Sequence, residues 1–270
     1  AIYETEPVDV GDAPDFLNMV AEIKVGGITS SQMMARMLRI EYLLGRTDKS
    51  LKRPRTIDLD LLFYGDQRSD PTMDNDPVAM LINTILSQNT NDRNRDIAYQ
   101  RLRGRFATWE AVRDAPAEEV ISAISPAGLA PTKGPHIQDA LKAITEHEGT
   151  ISLEFLRTWS LEEARAWLLS LNGVGPKTAA IVLLFSMGRP AFPVDTHVHR
   201  VTRRLGLIPD RTSREKAHEL LEQLLPEELY YAGHLNIIEH GRTVCQARRP
   251  QCEVCALQDL CCYYLGTRST

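Results

Sequence analysis

The sequence predicts a mainly all-α protein over residues 71–270, preceded by a shorter α+β segment, and three observations carry that reading. Downstream of residue 76, apolar positions recur at helical spacing behind recognisable helix-start residues. No convincing strand pair and no repeat of about 20–50 residues interrupts them. Between residues 64 and 76 the chain collects Gly, Pro, Asp and Ser, the composition of a junction.

Upstream of that junction, TIDLDLLFY at 56–64 alternates and then runs apolar, as a buried strand does, while residues 31–44 show helical spacing. Downstream, Asp76 is placed to cap a helix whose first residue is Pro77. Val78, Leu81, Ile82, Ile85 and Leu86 form its apolar stripe. Ser160 and Glu163 make a capping box ahead of Ala164, Trp167, Leu168 and Leu171.

With 270 residues, 43% of them apolar, the chain can bury one large core or two moderate ones. No stretch is long and apolar enough to span a bilayer, and residues 1–10 lack the basic start and apolar run of a signal peptide. A soluble, cytoplasmic protein is expected, and the start at Ala1 rather than Met predicts a processed or partial product. The net charge of −5 argues weakly against a nucleic-acid partner. Residues 1–70, however, hold 9 Lys/Arg against 12 Asp/Glu, which leaves the remainder near neutral with local basic clusters. These are Arg93, Arg95, Arg101, Arg103 and Arg105, then Arg200, Arg203 and Arg204, then Arg242, Arg248 and Arg249; each alone reads as a solvated helix face.

All five cysteines lie between Cys245 and Cys262, an odd number crowded into one tail, which suits a metal site better than a disulfide framework. Cys245, Cys252, Cys255 and Cys261 read C-x6-C-x2-C-x5-C. Four thiolates in so short a stretch can wrap a compact inorganic core, because short loops close at little entropic cost and soft sulfur suits iron or zinc. The single close pair favours an iron–sulfur cluster over a zinc ribbon, with zinc and free structural thiols as the alternatives.

LNGVGPKT at 171–178 falls between two helical segments, 161–170 and 178–185. Gly173 and Gly175 permit a tight turn with exposed N–H groups, and Pro176 starts the next helix without wasting a donor, so the turn is a candidate phosphate site or an ordinary connection. Lys177 stands in the first helical turn, where the positive end of the dipole disfavours a cation and favours the neutral amine that attack on a sugar carbon requires. A bland surface lysine is the competing reading. In FPVDTHVHR at 192–200, Asp195 is placed to cap another helix.

Taken together, LNGVGPKT, VDTHVHRV and the four cysteines resemble, in order, spacing and residue type, the endonuclease III family of helix-hairpin-helix DNA glycosylases. The resemblance implies a two-lobed helix-hairpin-helix glycosylase fold, with a helical barrel domain over 77–189 and an iron–sulfur domain over 190–270 holding a [4Fe–4S] cluster on Cys245, Cys252, Cys255 and Cys261. Cys262 is outside the ligand pattern. The resemblance makes Lys177 the nucleophile and Asp195 the essential carboxylate. ILSQNTND at 85–92 resembles the family's helix and loop that enter the duplex, and GLAPTK at 128–133 the loop with an intercalating leucine. Leu129 is then the wedge, Gln88 or Asn89 fills the space left by the flipped nucleotide, and Arg248 and Arg249 point to phosphates, as Gly173 and Gly175 do. The implied activity is base excision with abasic-site lyase chemistry on damaged double-stranded DNA, most fittingly at oxidised pyrimidines, by a nucleoid-associated monomer. Residues 150–167 are longer than the commonest family form.

Residues 1–66 resemble a different family, the hydroxymethyldihydropterin pyrophosphokinases with their ferredoxin-like α+β fold, through IYETEPV at 2–8, PDFLN at 14–18 and PRTIDLDLLFYGD at 54–66. That resemblance implies pterin contacts from Phe16 and Asn18, and a Mg2+ of MgATP held by Asp58 and Asp60, two apart on one strand face. The usual Gly-rich first strand and everything after YGD are absent. The segment is therefore expected to be a truncated fusion or a misassembled reading frame, inactive as a kinase, with Mg2+ relevant only if it were active. Two further functions compete with the glycosylase: a folate-pathway pterin pyrophosphokinase with a DNA-repair appendage, and a non-catalytic DNA-binding module.

Overall fold

The computed structural model describes residues 76–268 and the backbone of four short strands, Ile2–Thr5 (β1), Phe16–Met19 (β2), Phe63–Tyr64 (β3) and Gln67–Arg68 (β4). β1 and β2 pair antiparallel with Tyr3 opposite Asn18, and β3 and β4 pair antiparallel with Tyr64 opposite Gln67. Of the strand expected over 56–64, only its last two residues are described, and the helix expected over 31–44 lies outside the described residues. Asp58 and Asp60 do too; Phe16 and Asn18 lie on β2, with side chains outside the described set.

From residue 76 onward the described chain is helical. Helix α1, Pro77–Ser87, starts where Asp76 caps it: the carboxylate accepts the Val78 N–H at 2.9 Å. The expected apolar stripe is buried, but so is every other residue from Pro77 to Leu86. A helix covered on all sides is a central one. It packs against α2 (Asp92–Arg105), α5 (Ala130–Glu148) and α7 (Pro176–Ile181). Short helices α3 (Trp109–Asp114) and α4 (Ala117–Ala123) close the layer, and α4 meets α5 at Gly134, where a Cβ would stand 2.8 Å from the Ile121 side chain.

Helix α6, Leu161–Ser170, begins with the predicted capping box: Ser160 Oγ accepts the Glu163 N–H at 3.1 Å, and Glu163 accepts the Ser160 N–H at 2.9 Å. The stretch ahead of it supplies Phe155 and Trp159, which with Trp167 surround His147 at the end of α5; the His147 and Phe155 rings stack at 4.4 Å. The helix expected to run uniformly over 178–185 instead widens into a π-helical stretch, Val182–Ser186, directly after α7. The carbonyls at that end are satisfied from outside: Arg157 donates to Ser186 O at 2.9 Å and to Met187 O at 3.1 Å.

The second lobe comprises α8 (Thr196–Leu205), α9 (Arg214–Leu224), α10 (Tyr230–Thr243) and α11 (Cys262–Arg268). Two separate cores result. The larger gathers residues from Val78 to Ala191, and the smaller is built on Leu184, Phe192, Val194, Val198, Ile208, Ala217, Leu221 and Tyr230. A bidentate ion pair crosses between the lobes, Arg165 on α6 to Glu222 on α9 at 2.8 and 3.0 Å. Glu222 also accepts the Phe192 N–H at 2.8 Å, so the linker is tied into the same pair.

Candidate DNA-repair site and cluster loop

The turn between α6 and α7 is set by one glycine. Gly173 has φ +77°, and a Cβ there would collide with the His136 ring. Gly175 differs from expectation: its backbone is extended at φ −99°, and a Cβ would meet nothing within 4 Å. The fold therefore does not require glycine at 175; what its missing side chain gives is an open surface at the start of α7. Pro176 opens that helix, leaving the half-buried Lys177 in its first turn.

Asp195 caps α8 as expected, its Oδ1 accepting the Val198 N–H at 2.7 Å. Sequence reasoning missed a further buried residue of this region, His234 of α10. It is 2% exposed, and its Nδ1 lies 2.9 Å from the Pro193 carbonyl, two residues before Asp195. Burial pushes its imidazole down to about 4, against the opposing pull of the Asp195 carboxylate and with a further push from the Lys177 ammonium. The only sequence signal for it was a histidine in phase with the apolar residues Tyr230, Ile237 and Ile238.

Of the two loops expected to enter a duplex, the first touches this hairpin. Gln88 follows α1 and donates from Nε2 to Gly173 O at 2.8 Å, while Asn89 is exposed with φ 52°. Leu129 also has φ 52° and is 56% exposed at the start of α5, so it is no part of the core. Lys133 was not singled out, yet its Nζ is buried between the carbonyls of Leu86 and Ala127, at 2.8 and 2.9 Å.

The basic clusters divide. Arg95 pairs with Asp92 and Asp96, Arg105 pairs with Glu119, and Arg103 stacks over Trp109 at 4.2 Å. Arg242 reaches Asp92 of the other lobe at 3.0 Å. Arg200 donates to the carbonyls of Gly241 and Cys245 at 2.8 and 3.0 Å. Arg248 and Arg249 are exposed on the cluster loop.

Cys245, Cys252, Cys255 and Cys261 line one small pocket together with Arg204, His240 and Tyr264. The donor set fits a thiolate-bound group: Arg204 Nη1 stands 3.3 Å from Cys245 Sγ, and the Leu257 N–H points to Cys255 Sγ at 3.4 Å. Burial, and then the neighbouring thiols, raise the Cys252 thiol, as expected of sulfurs gathered around a shared space. Cys262 is exposed and packs instead on Gly206, where a Cβ would come within 2.5 Å of its sulfur. No described helix is long and apolar enough to cross a membrane.

Comparison with known proteins agrees with this geometry. The sequence model of HhH-GPD superfamily base excision DNA repair proteins matches residues 82–227, and that of the iron–sulfur binding domain of endonuclease III matches residues 245–261. The 7,8-dihydro-6-hydroxymethylpterin-pyrophosphokinase model matches residues 1–93, running past residue 66 and through α1. Endonuclease III of Thermotoga maritima is 38% identical over 189 residues, covering 70% of this chain and 84% of its own. That of Sulfolobus acidocaldarius is 33% identical over 190 residues, covering 69% and 82%. Among solved structures, a non-covalent endonuclease III–DNA complex superposes with a TM-score of 0.64 at 27% identity, over 90% of this chain and all of that one. A thermostable thymine-DNA glycosylase, 21% identical with a TM-score of 0.63 over 87% of this chain and 97% of its own, shares the fold. The chain belongs to the endonuclease III family of HhH-GPD base excision repair DNA glycosylases, and its cysteine loop is that family's iron–sulfur domain.

Proposed function

We propose that the protein is a bifunctional DNA glycosylase and abasic-site lyase acting on oxidised pyrimidines in duplex DNA as a monomer. The observation that carries this reading is the placement of Lys177 in the first turn of α7, directly behind the Gly173 turn, and of Asp195 as the cap of α8, in a chain of the endonuclease III family. The neutral amine of Lys177 attacks C1′: the N–C1′ bond forms as the bond to the base breaks, and the base leaves with the electron pair and takes a proton. Asp195 stabilises the cationic sugar and takes up the proton released by the lysine nitrogen. Ring opening gives an iminium, which acidifies the 2′ carbon. Loss of that proton expels the 3′ phosphate, and water then hydrolyses the imine to free Lys177.

A base must leave the stack before this can begin. Leu129, exposed on its turn, is the wedge that opens the stack, and Gln88 or Asn89 fills the space behind the flipped nucleotide. The N–H groups at Gly173 and Gly175 receive a phosphate; the bare surface at Gly175, unneeded by the fold, supports this because a side chain there would block the approach. Arg248 and Arg249 add phosphate contacts. The group held by Cys245, Cys252, Cys255 and Cys261, a [4Fe–4S] cluster in this reading, supplies a rigid centre around which the loop folds.

The test is borohydride trapping on a thymine-glycol duplex. Wild-type protein should form a covalent adduct, and Lys177→Gln should form none while still binding abasic DNA. Trapping by the variant at the normal rate would remove Lys177 from the mechanism. Absence of trapping and of strand cleavage by a cluster-loaded wild-type protein would instead leave a glycosylase without lyase activity.

A further inference from the structure

Lys133, Ile137, Leu141 and Ile144 lie on one face of α5, and all four are buried, Lys133 at 2% exposure. An ammonium in an apolar face costs several kcal/mol unless its N–H groups are used. They are used on two helix ends at once. Leu86 lies in the last turn of α1, and Ala127 closes the single 3-10 turn Ser125–Ala127, so both carbonyls carry the negative end of a helix and lack an intrahelical partner. Lys133 Nζ donates to them at 2.8 and 2.9 Å, and its backbone N–H donates to Leu129 O at 2.9 Å.

The backbone just beyond each capped end is strained. Among the described residues, Asn89 and Leu129 are the two non-glycine residues of positive φ, both at 52°, and they stand three and two residues beyond the carbonyls that Lys133 grips. The left-handed region is unfavourable for a non-glycine residue and persists only where the surroundings impose it. Here the imposing group is shared. Two loops separated by about forty residues in sequence have their bases fastened to one side chain.

We propose that Lys133 is a positioning residue that clamps the loop at 88–89 to the loop at 128–129, so that wedge and filler enter the duplex as one body. The inference rests on the reading of those loops given above, and a coupling measurement separates the two. Base flipping would be followed by stopped-flow fluorescence of 2-aminopurine placed beside a thymine glycol, using the full cluster-loaded chain and its Leu129→Ala, Lys133→Met and doubly substituted variants. Thermal melting and cluster absorbance would be recorded for each. Each single substitution should slow flipping about tenfold, with the double variant within about twofold of the slower single, because residues acting as one unit are not additive. Slowing that multiplies in the double variant, or normal flipping by a folded Lys133→Met, would overturn the clamp and leave the wedge reading intact. Normal flipping by Leu129→Ala would overturn the wedge reading, and the clamp with it. If Lys133→Met does not fold with its cluster, Lys133→Gln, whose shorter stem cannot bring a donor to both carbonyls, is judged by the same criteria.

Discussion

The hairpin region, 171–195, and the cluster loop, 245–261, each pack candidate functional residues into a short stretch, but different forces hold them. In the first, Leu171, Val174, Thr178, Ala179, Ala180, Phe192 and Val194 are buried, and the functional side chains project from a surface fixed beneath them. In the second no residue is fully buried, the local structure is single 3-10 turns at Cys252–Val254 and Gln258–Leu260, and Arg204 props the loop by donating to Gln246 O and Ala247 O at 2.8 and 3.0 Å. Hydrophobic burial of about 2 kcal/mol per large side chain maintains the hairpin. The loop has no such source and depends on what its four thiols bind.

The largest effect should therefore come from removing that bound group. Cys252→Ala is expected to lose the yellow-brown absorbance near about 400 nm that thiolate-bound iron gives, and to open residues 245–261 to proteases, while the helices of the first lobe still melt cooperatively. Colourless wild-type protein with about one zinc per chain and a protected loop would break the comparison on the loop's side.

The opposite substitution tests the other side. Leu81 is fully buried in α1, and Leu81→Ala should cost about 3 kcal/mol through lost burial and a residual cavity. Denaturant unfolding of the first lobe would report it, with cluster absorbance unchanged at temperatures where the variant is folded. Early loss of the chromophore would mean that the lobes are one cooperative unit, coupled through Arg165 and Glu222.

Acid should act on the hairpin region through His234. Its folded value, about 4, lies below the unfolded value of 6.5, so the unfolded state takes up a proton first as pH falls. The stabilising contribution is full above pH 6.5 and is lost as pH falls towards 4, on the order of 3 kcal/mol. His218, beside Phe192 O and Glu222, is lowered by burial and adds in the same direction. Urea unfolding at several pH values should show this slope and show it reduced in His234→Gln; equal slopes would rule His234 out as the cause.

The same contrast explains what could be read from sequence. Asp76, Ser160 and Asp195 were legible as caps because a cap is a local event, completed within three residues. The cysteines were legible because ligand spacing is a covalent constraint. Lys133, His234 and Glu222 were not, since each reaches a partner far along the chain, 47, 41 and 57 residues away. A cation in phase with Ile137, Leu141 and Ile144 was the one available sign for Lys133. The π-helical stretch was hidden for a related reason: its end is satisfied by Arg157, from a turn about thirty residues earlier.

The smallest expected effect is at the capping box that starts α6, the helix leading into the hairpin. Ser160 Oγ and the Glu163 carboxylate satisfy one another and two backbone N–H groups, and those hydrogen bonds, from the Ser160 hydroxyl first, hold the Glu163 carboxyl below its ordinary range. Ser160→Ala removes the cap while leaving every buried contact in place, so the thermal midpoint should fall by about 2–4 °C. The lowered carboxyl gives the effect a sign in pH. Its stabilising contribution is present above the unfolded carboxyl range and is lost as pH falls through the folded value, so wild type and Ser160→Ala should converge in acid. The shift should appear in the helical melt of the first lobe and leave the cluster absorbance untouched. A larger loss, or one that persists unchanged in acid, would mean that α6 is held chiefly by this box rather than by Ala164 and Leu168 beneath it, and the hairpin would then depend on local capping instead of burial.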